Sequence, residues 1–169
     1  LTAFRRQTNI RDFFIKSKIA PPPKQYPGRN NRGMTNCGKT CTACPYIQYR
    51  NEIKVDSKST WKIMKKMSCL TYNIVYMLEC QKNNCKQRYI GSTGRELKHR
   101  LADHRGYIQN QVTSRATGAH WNLPGHSLAD LRVSVLEQCK KKSEEYRLER
   151  EKYFIRKFDT YTNGINREW

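Results

Sequence analysis

Tyr89-Ile90-Gly91-Ser92-Thr93 is the stretch on which the reading of this chain turns. Residues 87–91, which run into it, suit a β-strand, and an earlier run of the same character precedes it, Asn73-Ile74-Val75-Tyr76-Met77-Leu78-Glu79. The Asn83-Asn84 pair between them predicts a turn, hence an antiparallel hairpin carrying two tyrosines, Tyr76 and Tyr89. The mostly apolar run 73–79 suits a buried central strand. Beyond Gly94, Leu97, Leu101 and Ile108 recur at helical spacing, and Arg100 and His104, four residues apart, share one face beside that stripe. Residues 131–137 alternate as a third strand. Ser143 caps a last long helix whose glutamates, Glu144 and Glu145, suit its positive end. Leu148, Ile155 and Phe158 define the apolar stripe of that helix, and Glu151 falls in its middle. A carboxylate there is costly unless it meets a cation or a cleft. The expected fold is a small α+β domain, a three-stranded antiparallel sheet flanked by helices.

The 169 residues carry 33 Lys and Arg against 14 Asp and Glu, a formal charge of +19. Basic residues outnumber acidic ones on both sides of residue 70, so the charge is not one tail. A polyanionic partner is the simplest reading, because neutralised phosphates release counterions. No stretch is apolar enough to span a membrane, and no secretory pattern is present. The start at Leu1, without an initiator Met, reads as a piece of a larger polypeptide.

Seven cysteines without a signal peptide do not suit a secreted disulfide framework; thiolate metal ligands in a reducing compartment fit better. Cys37, Cys41, Cys44 and Cys69 make one candidate zinc set, and Cys80, Cys85, His120 and His126 a second. Cys139 is read as a packed thiol. The expected organisation is a basic linker or arm over 1–35, a cysteine-bearing zinc module over 36–70 and the main domain over 71–169. The arm includes the apolar patch Asn9–Ile15 and the run Pro21-Pro22-Pro23, and the module has strand-like pieces near Tyr46–Tyr49 and Trp61–Ile63.

Ile74-Val75-Tyr76, Tyr89-Ile90-Gly91, Arg100, His104, Glu151 and Asn166 together resemble the motifs of the GIY-YIG endonuclease family. Ile74 stands where the family name has its first glycine, and twelve residues separate the two tyrosines, slightly more than is usual. With the cysteines between the motifs, the two later histidines and the upstream Cys37-x3-Cys41-x2-Cys44-Pro45, the pattern resembles the endonuclease domain of Penelope-like retroelements. The resemblance covers residues 9–169. It implies that Tyr76, Tyr89 and Arg100 line the scissile phosphate, that Glu151 holds the single catalytic metal, and that Asn166 hydrogen-bonds near the phosphate or the backbone. It further implies a linked reverse transcriptase with its template RNA, nicking of target DNA to leave a 3′-hydroxyl primer for target-primed reverse transcription, and a nuclear site of action.

The residue types carry physical reasons of their own. A carboxylate such as Glu151 suits one hard cation, Mg²⁺ or Mn²⁺. Arg100 offers a planar fork to phosphate oxygens. His104 or a tyrosine is a candidate to take a proton from water. Arg95, Lys98, Arg105 and Arg115 are expected to track the DNA backbone, and Tyr107, Trp121 and Trp169 are candidates to stack on bases. The rival reading is a zinc-stabilised nucleic-acid-binding module without catalytic activity, since cysteines and charge serve both; only the Tyr–Tyr–Arg–His–Glu set separates them.

Overall fold

The computed structural model describes residues 32–38, 41–141 and 143–167. Residues 1–31 of the expected arm over 1–35, with Asn9–Ile15, and Trp169 lie outside the described residues.

The hairpin forms as its sequence requires. Strand β5 (Ile74–Cys80) pairs antiparallel with β6 (Arg88–Thr93), placing Tyr76 opposite Gly91. On its other edge β5 pairs antiparallel with β7 (Leu131–Gln138), giving a sheet of order β6-β5-β7. Every residue of β5 is buried, which accounts for its nearly unbroken apolar run. A bulge between Val75 and Tyr76 shifts the register against β7, at the residue that carries the first tyrosine.

Helix α1 (Leu97–Gln109) buries Leu97, Leu101, His104 and Ile108, the expected stripe with the histidine added to it. The short helix α2 (Ala116–Trp121) packs on α1. Helix α3 (Glu144–Lys157) lies against β6 and β5. Its Ser143 cap forms as expected, the side-chain oxygen accepting from the Tyr146 amide at 3.2 Å. Its apolar stripe is shorter than expected: Ile155 and Phe158 are buried, but Leu148 is exposed, since it borders an open cleft instead of the core.

The cysteine-bearing segment is not a separate body. Its strands are short: β1 (Gly33–Met34) pairs parallel with β4 (Lys66–Met67), and β2 (Glu52–Lys54) pairs antiparallel with β3 (Thr60–Lys62). The strand expected near Tyr46–Tyr49 is instead a 3₁₀ turn at Cys44–Tyr46, opened by Pro45, followed by a single bridge from Ile47 to Val133 of β7. Met34, Ile53, Ile63 and Met67 join the same apolar core as the sheet. Trp61 donates its indole N–H to the Leu136 carbonyl at 3.0 Å and meets Phe154 of α3 edge-on at 4.9 Å.

A buried ion triad reinforces this join. Glu79 of β5 receives Arg88 of β6 at 3.1 Å on one oxygen and Arg50 on the other, and Arg50 also reaches Ser134 of β7 at 3.2 Å. Removing one partner of such a set leaves charge without compensation. Glu79→Gln is therefore expected to destabilise the protein by roughly 2 kcal/mol, below the full cost for a sealed pair because both arginines keep partial access to solvent. Urea unfolding measures it, and an unchanged midpoint would show the triad to be dispensable.

Candidate active site

Gly91 decides where the first tyrosine goes. A Cβ at position 91 would lie 2.5 Å from the Tyr76 hydroxyl and 2.8 Å from its ring, so only glycine lets that side chain cross the neighbouring strand. Tyr76 is fully buried, and its hydroxyl meets two partners from α1. Arg100 donates Nε–H to it at 2.9 Å, and His104 Nε2 lies 2.7 Å away. The other histidine nitrogen, Nδ1, lies 3.0 Å from the Thr117 hydroxyl of α2. Helical spacing puts Arg100 and His104 one turn apart, and this is why a single phenol can engage both.

Burial sets the charge states. It pushes the Tyr76 phenol above its ordinary range, with Tyr89 adding to the rise and Arg100 opposing it. Burial, with help from the Arg100 charge, pulls His104 down to about 3, so its ring is neutral at physiological pH. His104 is 2% exposed and ringed by Tyr76, Tyr89 and Tyr107, with ring centroids 5.6–6.0 Å away. A histidine so enclosed is a partner for Tyr76, not a base facing bulk water.

Beside this cluster opens a cleft of about 490 Å³, lined by Tyr89, Arg100, His104, Tyr107, Arg115, Thr117, Glu151, Lys152, Asn166 and Arg167 among others. The strand brings Tyr89, α1 brings Arg100, and α3 brings Glu151 across to face them. Glu151 accepts a 2.6 Å hydrogen bond from Ser92, and among the described residues it makes no ion pair. Burial raises its carboxyl above the usual range; Ser92, Arg100 and Arg147 pull the other way. Tyr89 is raised by burial and by the Glu151 charge, with Arg100 opposing. Asn166 grips the edge of β6: its side chain accepts from the Ile90 amide at 2.9 Å and donates to the Ile90 carbonyl at 2.8 Å. It thus acts as a one-residue strand partner that holds the backbone between Tyr89 and Gly91.

A scan against protein families matches the GIY-YIG catalytic domain over residues 72–166. The chain belongs to the GIY-YIG family. No curated protein and no solved structure matches it. Members of this family are nucleases and are generally dependent on a divalent metal.

Within this GIY-YIG protein, the candidate residues separate into groups. Tyr89, Arg100, His104, Glu151 and Asn166 all reach the cleft, whereas Tyr76 stands behind it and touches it only through Arg100 and His104. Of the four basic residues expected on the DNA backbone, Arg115 lines the cleft, stacked over Tyr107 at 5.7 Å. Arg95 pairs with Asp103, Lys98 with Glu96 at 2.8 Å, and Arg105 packs over Tyr46 at 5.2 Å while donating to the Thr42 carbonyl. Trp121 is buried, so it is a core residue and offers no face to a base. Ser92, Thr117, Lys152 and Arg167 belong to the site but were not singled out in the sequence. Ser92 was within the decisive stretch and Lys152 beside Glu151; Thr117 carried no signal, because only the docking of α2 on α1 brings it near His104.

Both sulfur-bearing sets assemble as grouped from the sequence. Cys37, Cys41, Cys44 and Cys69 place their sulfurs within 4.8 Å of one another, and so do the ligand atoms of Cys80, Cys85, His120 and His126. In the first set the neighbouring sulfurs lie 3.4–3.8 Å apart. Four thiolates sharing one tetrahedral zinc at about 2.3 Å would sit about 3.8 Å apart, so the donor chemistry and spacing fit that ion. The second set links the β5–β6 turn to the far end of α2. Cys139 is a buried thiol, as expected.

Because Tyr76 depends on the empty space over residue 91, Gly91→Ala is expected to displace its phenol and release both Arg100 and His104. Nuclease activity should fall by roughly a hundredfold or more, comparable to the loss of a charge-stabilising donor, with the fold retained by circular dichroism. Activity close to that of the parent would show that the phenol's position is not critical.

Proposed function

We propose that this protein is a DNA endonuclease that nicks one strand, and that it serves a Penelope-like retroelement by leaving a 3′-hydroxyl primer for a linked reverse transcriptase and its template RNA. The observation that carries the nuclease reading is the meeting of Glu151, Tyr89 and Arg100 on one cleft, from three separate elements. The retroelement assignment rests on the sequence resemblance, including the cysteine and histidine pattern around the two tyrosine motifs. A nuclear site of action belongs to the same reading.

Glu151 is the residue to hold a divalent cation, Mg²⁺ or Mn²⁺: it is a hard oxygen donor, partly withdrawn from water and free of a basic ion-pair partner among the described residues. When bound, the cation supplies Lewis-acid stabilisation of charge on the reacting phosphate. The protein's own groups do the rest. Tyr76 and Asp103 hold the Arg100 guanidinium, at 2.9 and 3.7 Å, so its remaining N–H groups are presented to phosphate oxygens in the cleft. Tyr89 lies on the cleft wall with its phenol protonated, suited to donate to, or orient, the attacking water. Lys152, Arg115 and Arg167 line the same wall and add positive charge for the flanking backbone. Ser92 fixes the Glu151 carboxylate in its rotamer.

Glu151→Ala should abolish nicking of supercoiled plasmid in Mg²⁺ while leaving DNA affinity largely intact. Arg100→Ala should cost on the order of 3–4 kcal/mol of transition-state stabilisation. Cleavage by the Glu151 variant at the parental rate would remove this assignment, and a parent protein that binds DNA without ever nicking it would favour the non-catalytic binding module.

The two sulfur-bearing sets are proposed to hold structural zinc. Metal analysis of the purified chain should return two equivalents, and Cys85→Ser should return one. A parent content below one equivalent would overturn both sites.

A further inference from the structure

The buried polar chain behind the cleft has a direction, and the direction assigns a residue. Arg100 Nε carries a hydrogen and can only donate, so it occupies one acceptor site of the Tyr76 oxygen. Tyr76 has one proton left to give. Among the described residues its oxygen has only one other partner, His104 Nε2 at 2.7 Å. If that proton goes to Nε2, a neutral imidazole must carry its own hydrogen on Nδ1 and give it to the Thr117 oxygen, 3.0 Å away. The reverse order would have Thr117 donate to Nδ1 and Nε2–H donate to Tyr76. It would leave the Tyr76 proton with no acceptor in a site that has no access to water. A buried donor without a partner is costly. The forward order leaves only the Thr117 proton unspent, and Thr117 borders the cleft, where water or substrate can take it.

We infer that Thr117 is a positioning residue: its hydroxyl fixes the tautomer of His104, which directs the Tyr76 hydroxyl and thereby aims Arg100 at the phosphate. This rests on the endonuclease reading of the same cleft. The placement of Thr117 is itself tightly determined. A Cβ on the next residue, Gly118, would run into the Val112 carbonyl, so the backbone of α2 is pressed against the turn that follows α1. Asn122 closes the other end, donating to the Ile108 carbonyl at 3.0 Å and to the Gly118 carbonyl at 2.8 Å. The neutrality of His104 agrees with a ring that needs one donor and one acceptor and no more. The chain thus runs from α2 through α1 to the central strand, and its last member, Tyr76, stands behind the cleft.

The test is the ring-nitrogen NMR spectrum of His104 in the full chain, together with plasmid nicking in Mg²⁺. The parent is expected to show a single neutral tautomer protonated on Nδ1. Thr117→Val, which replaces the hydroxyl with a methyl of similar shape, should lose that single tautomer. Its kcat should fall roughly tenfold, the worth of one neutral hydrogen bond, with DNA affinity unchanged. Thr117→Ser should restore both tautomer and rate. Protonation on Nε2 in the parent would overturn the inference, and so would a Val variant that nicks at the parental rate or a Ser variant as impaired as Val. If the Val variant does not fold, the parental tautomer and the Ser variant still decide. A parent inactive as a nuclease but protonated on Nδ1 would refute the endonuclease reading while leaving the direction of the hydrogen-bond chain established.

Discussion

One buried phenol oxygen organises this site. Tyr76 projects from the central strand across Gly91, and its hydroxyl ties a cation and a neutral imidazole from the same helix. A hydroxyl can accept and donate at once, which neither a phenylalanine nor a charged side chain could do in that place. Without it, Arg100 would be a long flexible side chain at the mouth of a cleft, and His104 a buried imidazole with one unsatisfied nitrogen. The cost of orphaning either group in a dry environment keeps the arrangement together.

The rest of the molecule supports that geometry from outside. The ion triad of Glu79, Arg50 and Arg88 joins the sheet to the cysteine-bearing segment, and Trp61 extends the join to the last helix. The two sulfur-bearing sets gather different parts of this framework: one draws together residues of the segment before the sheet, the other residues of the hairpin turn and the end of α2. Since α2 carries Thr117, anything that holds its far end also steadies the polar chain behind the cleft. Small cysteine clusters can thereby contribute to a catalytic geometry they do not touch, through the rigidity of a packed interface.

The basic charge divides into two roles. Some of it is structural: Arg50, Arg88 and Arg105 spend their guanidinium groups inside the protein. Another part, Arg115, Lys152 and Arg167 beside Arg100, gathers at the cleft. Composition reports the sum of these and cannot apportion it, because pairing depends on which acidic group or carbonyl arrives from elsewhere in the chain.

The amino-acid sequence by itself determined the hairpin, the third strand, the stripe of the first helix and the cap of the last. Each rests on a local periodicity or a local side-chain hydrogen bond. It also marked Tyr89, Arg100 and Glu151 and the membership of both cysteine sets, since residue type and spacing carry that chemistry. Only the tertiary structure decided that Tyr76 stands behind the cleft, that His104 is almost wholly buried, that Trp121 is core, and that Ser92 and Thr117 come to the site. Those outcomes depend on contacts between elements far apart in the chain. Burial, which sets both the charge state of a group and what it can reach, is created only when those elements pack.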